Sequence, residues 1–240
     1  MDICFFKRVE KKYRVSLREK EALLSEIGRC LVPDEHGKNT ISSLYIDTPN
    51  YLLIRNSIDA RAYKEKLRLR SYGVPTLDTK VFLEIKKKYK GVVYKRRISL
   101  PLKTAYEYLA SRVRPEESQI MNEIEYAMDF YKSPKPMMLV SYEREAYFAK
   151  DTPTVRVTFD SAVRYRENDL KLENGSYGKT ILPENEFILE IKTDGAIPLW
   201  LAHALDKCKI YPTSYSKYAN SYRDSLSSEA KGEEKYVCTV

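Results

Sequence analysis

Residues 63–73 read YKEKLRLRSYG, with Lys64, Lys66, Arg68 and Arg70 at every second position and Leu67 and Leu69 between them. Successive side chains of a β-strand point to opposite faces, so this spacing predicts a strand with a basic face and an apolar one. A solvated outer face explains one such stripe. It does not explain the same stripe repeated along the chain.

The repetition is extensive. In VFLEIKKK (81–88), Phe82, Glu84, Lys86 and Lys88 share a face, opposite Val81, Leu83 and Ile85. In VVYKRRISL (92–100), Lys95, Arg97 and Ser99 oppose Tyr94, Ile98 and Leu100, with Arg96 breaking the pattern. Tyr142 and Arg144 are in phase in VSYEREAYF, as are Arg156, Thr158 and Asp160 in TVRVTFD, and Ile188, Glu190 and Lys192 in FILEIK. The first segment, FKRVEKKYRV, places Arg8, Glu10, Lys12 and Arg14 together. Eight strands are expected, near 3–14, 40–47, 63–72, 80–90, 91–100, 137–149, 153–164 and 185–193. Helices are expected at 16–31, 102–112, 116–131, 198–208 and 214–227, the first opened by Ser16 with Glu19 at capping-box spacing.

Tyr89-Lys90-Gly91 marks a tight turn, so 80–90 and 91–100 form a hairpin and antiparallel pairing follows. Eight long strands of this kind can close on themselves and lose their exposed edges. The expected fold is therefore α+β, an eight-stranded antiparallel β-barrel with flanking helices that bury the apolar faces from outside. The charged faces then line the interior, where unpaired cations cost several kcal/mol each unless water, counter-ions or a polyanion meets them. Glu10, Glu84, Asp160 and Glu190 are in phase but fewer than the cations, leaving positive charge for phosphate and one or two carboxylates for a hard ion such as Mg²⁺ or Mn²⁺. Asp160 is read as an arginine partner.

Composition agrees with a folded protein that meets an anion: 240 residues, 43% hydrophobic, 32% charged, formal net charge +8. Four scattered cysteines, Cys4, Cys30, Cys208 and Cys238, lack metal-ligand spacing and read as reduced thiols of a cytoplasmic protein. With only His36 and His203, zinc catalysis and a histidine-activated nucleophile are disfavoured. No apolar run long enough to span a bilayer is present and Lys7 and Arg8 charge the N-terminus, so membrane association is expected only through a partner protein. IPLWLAHAL (197–205), with Trp200, reads as an apolar stripe on the sheet. A single domain is expected over 1–226, with 227–240 as a disordered tail.

The ordered set SLYIDTPN (43–50), YKEKLRLRSYG (63–73), FLEIKKK (82–88), YKRRISL (94–100), SYEREAY (141–147), VRVTFD (155–160), LEIK (189–192) and SYSKY (214–218) resembles the VTC domain of vacuolar transporter chaperone-type polyphosphate polymerases. That domain belongs to the triphosphate tunnel metalloenzyme superfamily, and the resemblance runs from about residue 5 to 222. It implies transfer of the γ-phosphate of ATP onto polyphosphate with release of ADP, so the expected partners are ATP and polyphosphate. It also implies catalytic roles for Lys12, Arg68, Arg70, Lys86, Arg144 and Arg156. Lys95, Arg97, Tyr142, Ser216 and Lys217 would contact phosphate, and Glu190 would bind Mn²⁺ or Mg²⁺. Arg55 or Arg61 would supply a further cation, while Lys64 and Lys66 read as a solvated strand end.

Departures from the family pattern shift the expected chemistry. Hydrolytic tunnel enzymes open with Glu-x-Glu-x-Lys, whereas this chain has Arg8-Val9-Glu10-Lys11-Lys12. Losing one carboxylate weakens a second metal site and favours transfer over hydrolysis. Regulatory and membrane-spanning parts of the eukaryotic complexes are missing, which points to the stand-alone form found in bacteria, and position 214 carries serine where some members have lysine. The alternatives are a triphosphate hydrolase and a non-catalytic polyphosphate-binding module. Nucleic acid ranks last, because the cations alternate with aliphatic rather than aromatic residues.

Overall fold

The structure, a computed structural model, describes residues 9–59, 61–90 and 92–237. Lys7, Arg8, Cys4 and Cys238, on which parts of the sequence reading rest, lie outside them. Nine strands and six α-helices are present among the described residues: β1 (Val9–Ser16), α1 (Leu17–Ile27), β2 (Leu31–Asp47), α2 (Leu52–Ile58), β3 (Tyr63–Tyr72), β4 (Lys80–Tyr89), β5 (Val92–Pro101), α3 (Leu102–Ser111), α4 (Gln119–Phe130), β6 (Lys135–Ala149), β7 (Arg156–Arg166), β8 (Lys179–Thr180), β9 (Glu186–Thr193), α5 (Leu199–Lys207) and α6 (Lys217–Val237). Helix α6 runs on from Lys217 to Val237.

The capping box is formed as expected. Ser16 Oγ accepts from Glu19 N, and Glu19 Oε2 accepts from Ser16 N at 2.7 Å, satisfying two N-terminal amides of α1. Helix α2 was not foreseen, because its first amides are satisfied from a distance: buried Asp47 accepts from Leu53 N at 2.9 Å and Ile54 N at 3.1 Å.

The chain separates into two compact units, and three strands, β2, β6 and β7, run from one into the other. The first comprises Met1–Asn39, Tyr142–Val163 and Leu182–Tyr215. In it β9 pairs antiparallel with β1 and with β7, and α1 and α5 cover one face. Leu23 and Ile27 of α1 and Leu201 and Leu205 of α5 pack with Tyr13, Val15, Val157, Phe159, Leu189 and Ile191 of the strands, and Trp200 joins from the side. The second unit comprises Thr40–Ser141, Arg164–Ile181 and Ser216–Val240. There β3 pairs antiparallel with β2 and β4, and β4 with β5. Tyr108 of α3 and Met121, Ile124 and Met128 of α4 bury Leu67, Leu69, Val81, Leu83, Ile85 and Ile98. In each unit the apolar face lies under helices, as the alternation requires.

Barrel closure does not follow. Hydrogen-bonded strands run in the order β1-β9-β7-β6-β2-β3-β4-β5, with β8 on β7, so β1 and β5 end the path. Local chemistry accounts for both ends. The outer edge of β1 is taken by the segment after α5, where Thr213 N donates to Lys12 O at 2.7 Å. β5 exposes Val92 to Arg97 in succession, and the consecutive cations Lys95, Arg96 and Arg97 are the kind of edge that resists further pairing. The eight-stranded closed barrel is thus corrected to a predominantly antiparallel α+β sheet with an open strand path.

Candidate functional site

In the second unit the charged face of β3, β4 and β5 forms a grid fixed by register. One cross-strand row reads Tyr45, Arg68, Glu84, Arg97, and its neighbour reads Ser43, Arg70, Phe82, Ser99. A third row pairs Lys66 with Lys86 and Lys86 with Lys95. Opposed side chains on one face of an antiparallel pair lie about 5 Å apart, so like charges here repel unless an anion intervenes.

Glu84 is the resident anion. Its carboxylate is 1% exposed and meets Arg68 Nη2 at 2.6 Å and Lys95 Nζ at 2.7 Å. Burial by itself would raise this carboxyl, but the charges of Arg68, Arg70 and Lys95 outweigh it and bring its pKa down to about 2. Lys95 is lowered to about 8, first by desolvation and further by Arg70 and Arg68, with Glu84 opposing. Tyr45 responds in the same sense. Its buried phenol would be raised by desolvation, yet Arg68, Lys66 and Arg70 lower it to about 8.

Helix α6 contributes at this face. Lys66 Nζ donates to Ser216 Oγ at 3.1 Å, and Tyr218 stacks on Tyr45 with ring centroids 4.0 Å apart and planes within 6°. The Tyr218 hydroxyl donates to Asp47 Oδ2 at 2.9 Å, which locks the start of α6 to the end of β2. Ser216 and Lys217 are placed by that lock. Arg70 Nε donates to Ser43 Oγ at 3.2 Å.

In the first unit the charged face of β1, β9 and β7 carries rows Lys12, Glu190, Thr158 and Glu10, Lys192, Arg156. Glu190 is 6% exposed. It is approached by Lys12 Nζ at 3.4 Å, Arg144 Nη2 at 3.3 Å and Lys192 Nζ at 3.3 Å. Lys12 also reaches Glu10 Oε1 at 3.4 Å and donates to Tyr215 O at 3.0 Å. Arg144 lies over the buried Tyr142 ring, 5.3 Å from its centroid. Arg156 pairs with Asp34 at 2.9 Å and lies 5.2 Å from the Phe148 centroid.

The fit of a divalent ion can be judged from these donors. Among the described residues no group of three His, Cys, Asp or Glu side chains gathers. Glu190 and Glu10 share the Lys12 ammonium, and the buried Thr158 Oγ1 on the Glu190 row has no hydrogen-bond partner. One or two carboxylates beside a free hydroxyl suit Mg²⁺ or Mn²⁺ that brings waters and substrate phosphate oxygens as its other ligands.

The candidate phosphate and metal residues fall in both units. Arg68, Arg70, Lys86, Lys95, Arg97, Ser216 and Lys217 belong to the second unit, and Lys12, Tyr142, Arg144, Arg156 and Glu190 to the first. Arg55 donates to Asn50 O at 3.4 Å and Arg61 stands 3.9 Å from Asp59, both on exposed sides of their own segment. Lys66, set aside in the sequence reading, is engaged with Ser216. Sequence reasoning missed Tyr45 and Tyr218, although Ser43-Leu44-Tyr45-Ile46-Asp47 carries the same alternation that identified Arg68 and Arg70. It also missed Asp34, which lies in the first half of β2, where Pro33 and Gly37 hide the strand pattern.

The VTC domain family model matches residues 7–225. The chain belongs to the VTC domain family. Solved structures show the shared fold. A candidate adenylate cyclase from Bacillus halodurans is 14% identical, with a TM-score of 0.54 over 87% of this chain and 93% of that one. A candidate adenylyl cyclase from Hippeastrum, with a dominant triphosphatase activity, is 15% identical, with a TM-score of 0.52 over 88% and 93%. No curated protein matches the chain. Among the described residues, no helix of this VTC domain is long and apolar enough to cross a membrane.

Proposed function

We propose that this VTC domain transfers the γ-phosphate of ATP to the terminal phosphate of a polyphosphate chain and releases ADP. The observation that carries the reading is the excess of cations on the β3–β4–β5 face, where Lys66, Arg68, Arg70, Lys86, Lys95 and Arg97 share the face with one carboxylate among the described residues, Glu84. In phosphoryl transfer the protein chiefly positions the groups and neutralises charge. The bond from the γ-phosphorus to its bridging oxygen breaks as a terminal phosphate oxygen of the chain bonds to that phosphorus, and ADP leaves with the bridging oxygen. Arg68, Arg70 and Arg97 offer planar forks to phosphate oxygens, and Lys86 and Lys95 supply point charges. Ser216 and Lys217 add contacts on this unit, and in the other unit Lys12, Tyr142, Arg144 and Arg156 offer phosphate a charged face of their own.

Glu190, with Glu10 and the Thr158 hydroxyl, would hold a Mn²⁺ or Mg²⁺ ion. When bound, it would neutralise phosphate charge. The acceptor is itself a phosphate oxyanion, so no general base is required.

Incubating the purified protein with ATP and Mn²⁺ should yield polymer on a gel, with ADP released in step with phosphate incorporated. Arg70→Ala and Glu190→Ala should each reduce the rate at least tenfold. Free orthophosphate equimolar with ADP and no polymer would establish a triphosphatase instead. Tight, salt-sensitive polyphosphate binding without ADP would establish a binding module.

A further inference from the structure

The charged face of the second unit has a feature that phosphate binding does not use. At one end of the cation row, aromatic side chains replace charge. Tyr72 continues the series Lys66, Arg68, Arg70 on the same face of β3, and Phe82 lies opposite Arg70 on β4. Their rings meet edge to face, with centroids 5.7 Å apart and planes at 83°. The Arg97 guanidinium lies over the Phe82 ring, 4.4 Å from its centroid. Tyr72 is 43% exposed, Phe82 is half-buried and Arg97 is exposed. A face that met phosphate alone would have no use for two aromatic rings on its charged side.

We propose that Tyr72, Phe82 and Arg97 form a subsite that stacks the nucleobase of a nucleoside triphosphate. Aromatic rings and guanidinium planes both stack on bases, and the guanidinium adds attraction to the π-system. Residues two apart on a strand are about 7 Å apart, so a base at Tyr72 sets its phosphates beside Arg70 and Arg68. The nucleotide then enters with its base at the Tyr72 end and its γ-phosphate toward Lys86 and Lys95. Stacking tolerates any base because every base has a π-face, so adenine and guanine are accepted alike. This inference rests on the phosphate-transfer reading and specifies the donor it uses.

The test is equilibrium binding of ATP, GTP and tripolyphosphate to the whole chain, in wild type, Tyr72→Ala, Tyr72→Phe and Phe82→Leu. Tyr72→Ala and Phe82→Leu should weaken ATP and GTP together, about tenfold for Tyr72→Ala, and leave tripolyphosphate within about twofold. Tyr72→Phe should retain wild-type affinity for all three. An equal loss of ATP and tripolyphosphate, or no loss in any variant, overturns the nucleobase subsite and leaves phosphate transfer standing. Failure of the wild type to bind either ATP or tripolyphosphate overturns the transfer reading and the subsite with it.

Discussion

Arg144 grips the carboxylate of Asp160 through two parallel hydrogen bonds, Nε to Oδ1 at 2.6 Å and Nη2 to Oδ2 at 2.7 Å, with Asp160 fully buried. Such a fork fixes both the position and the plane of the guanidinium. Because the same Nη2 also approaches Glu190 at 3.3 Å, Arg144 arrives at the charged face already oriented.

Asp160→Ala should therefore act chiefly on stability. Removing one member of a buried pair leaves an uncompensated guanidinium, a loss of about 3 kcal/mol that urea unfolding would read as a lower midpoint at unchanged slope. A loss below about 1 kcal/mol would mean that Glu190 alone suffices for Arg144.

The acid limb of stability should depend on Glu84. Its folded pKa is about 2 against an ordinary 4.5, so the contribution is complete above 4.5 and is lost as the pH falls toward 2. The two values together correspond to about 3 kcal/mol. Glu84→Gln should flatten the stability profile across that window, and a profile as steep as wild type would assign the acid sensitivity elsewhere.

On the alkaline side, Lys95 predicts weaker phosphate binding. Its ammonium loses its proton near pH 8, and a bound anion favours the charged form, so binding should take up a proton. Polyphosphate affinity should fall several-fold between about pH 7.5 and pH 9.5, whereas Lys95→Arg should hold it nearly level because arginine stays charged.

Tyr45 supplies a spectroscopic check on the same field. A tyrosinate band should appear near pH 8 rather than 10 in the ultraviolet absorbance of the folded protein, and Tyr45→Phe should abolish it. Adding polyphosphate should move the transition upward, since the anion neutralises Arg68, Lys66 and Arg70. An unmoved transition would place the polymer elsewhere.

Gly178 offers a test of the loop that follows β7. It has φ of 150°, and a Cβ there would collide with the carbonyl of Tyr165. Next to it, Arg166 donates to the carbonyls of Asp169, Lys171, Gly175 and Tyr177 and so ties the loop together. Gly178→Ala should cost about 2 kcal/mol in thermal unfolding, while Gly195→Ala, with open space around it, should be close to neutral.

How much of this was legible depends on whether periodicity or distance decided it. Strands β3, β4 and β5 could be located from the alternation of Lys or Arg with Leu, Val and Ile, and α1 from Ser16 and Glu19, because each signal is local. The partners of the cations could not be located this way. Glu84 is shared between Arg68 and Lys95 on two neighbouring strands, and Asp34 reaches Arg156 across 122 residues. Closure also lay beyond the pattern, since it depends on Thr213 occupying the edge of β1. Tyr72 and Phe82 were visible as aromatic residues in phase with cations, but only their ring contact and the overlying Arg97 mark them as a unit.

The pairing of β1 with β9, Val9 against Thr193, has a consequence during synthesis. A nascent chain made at about 5–20 residues per second leaves β1 without this neighbour for roughly 10–40 s after it emerges from the ribosome. During that interval its edge is open to any other strand.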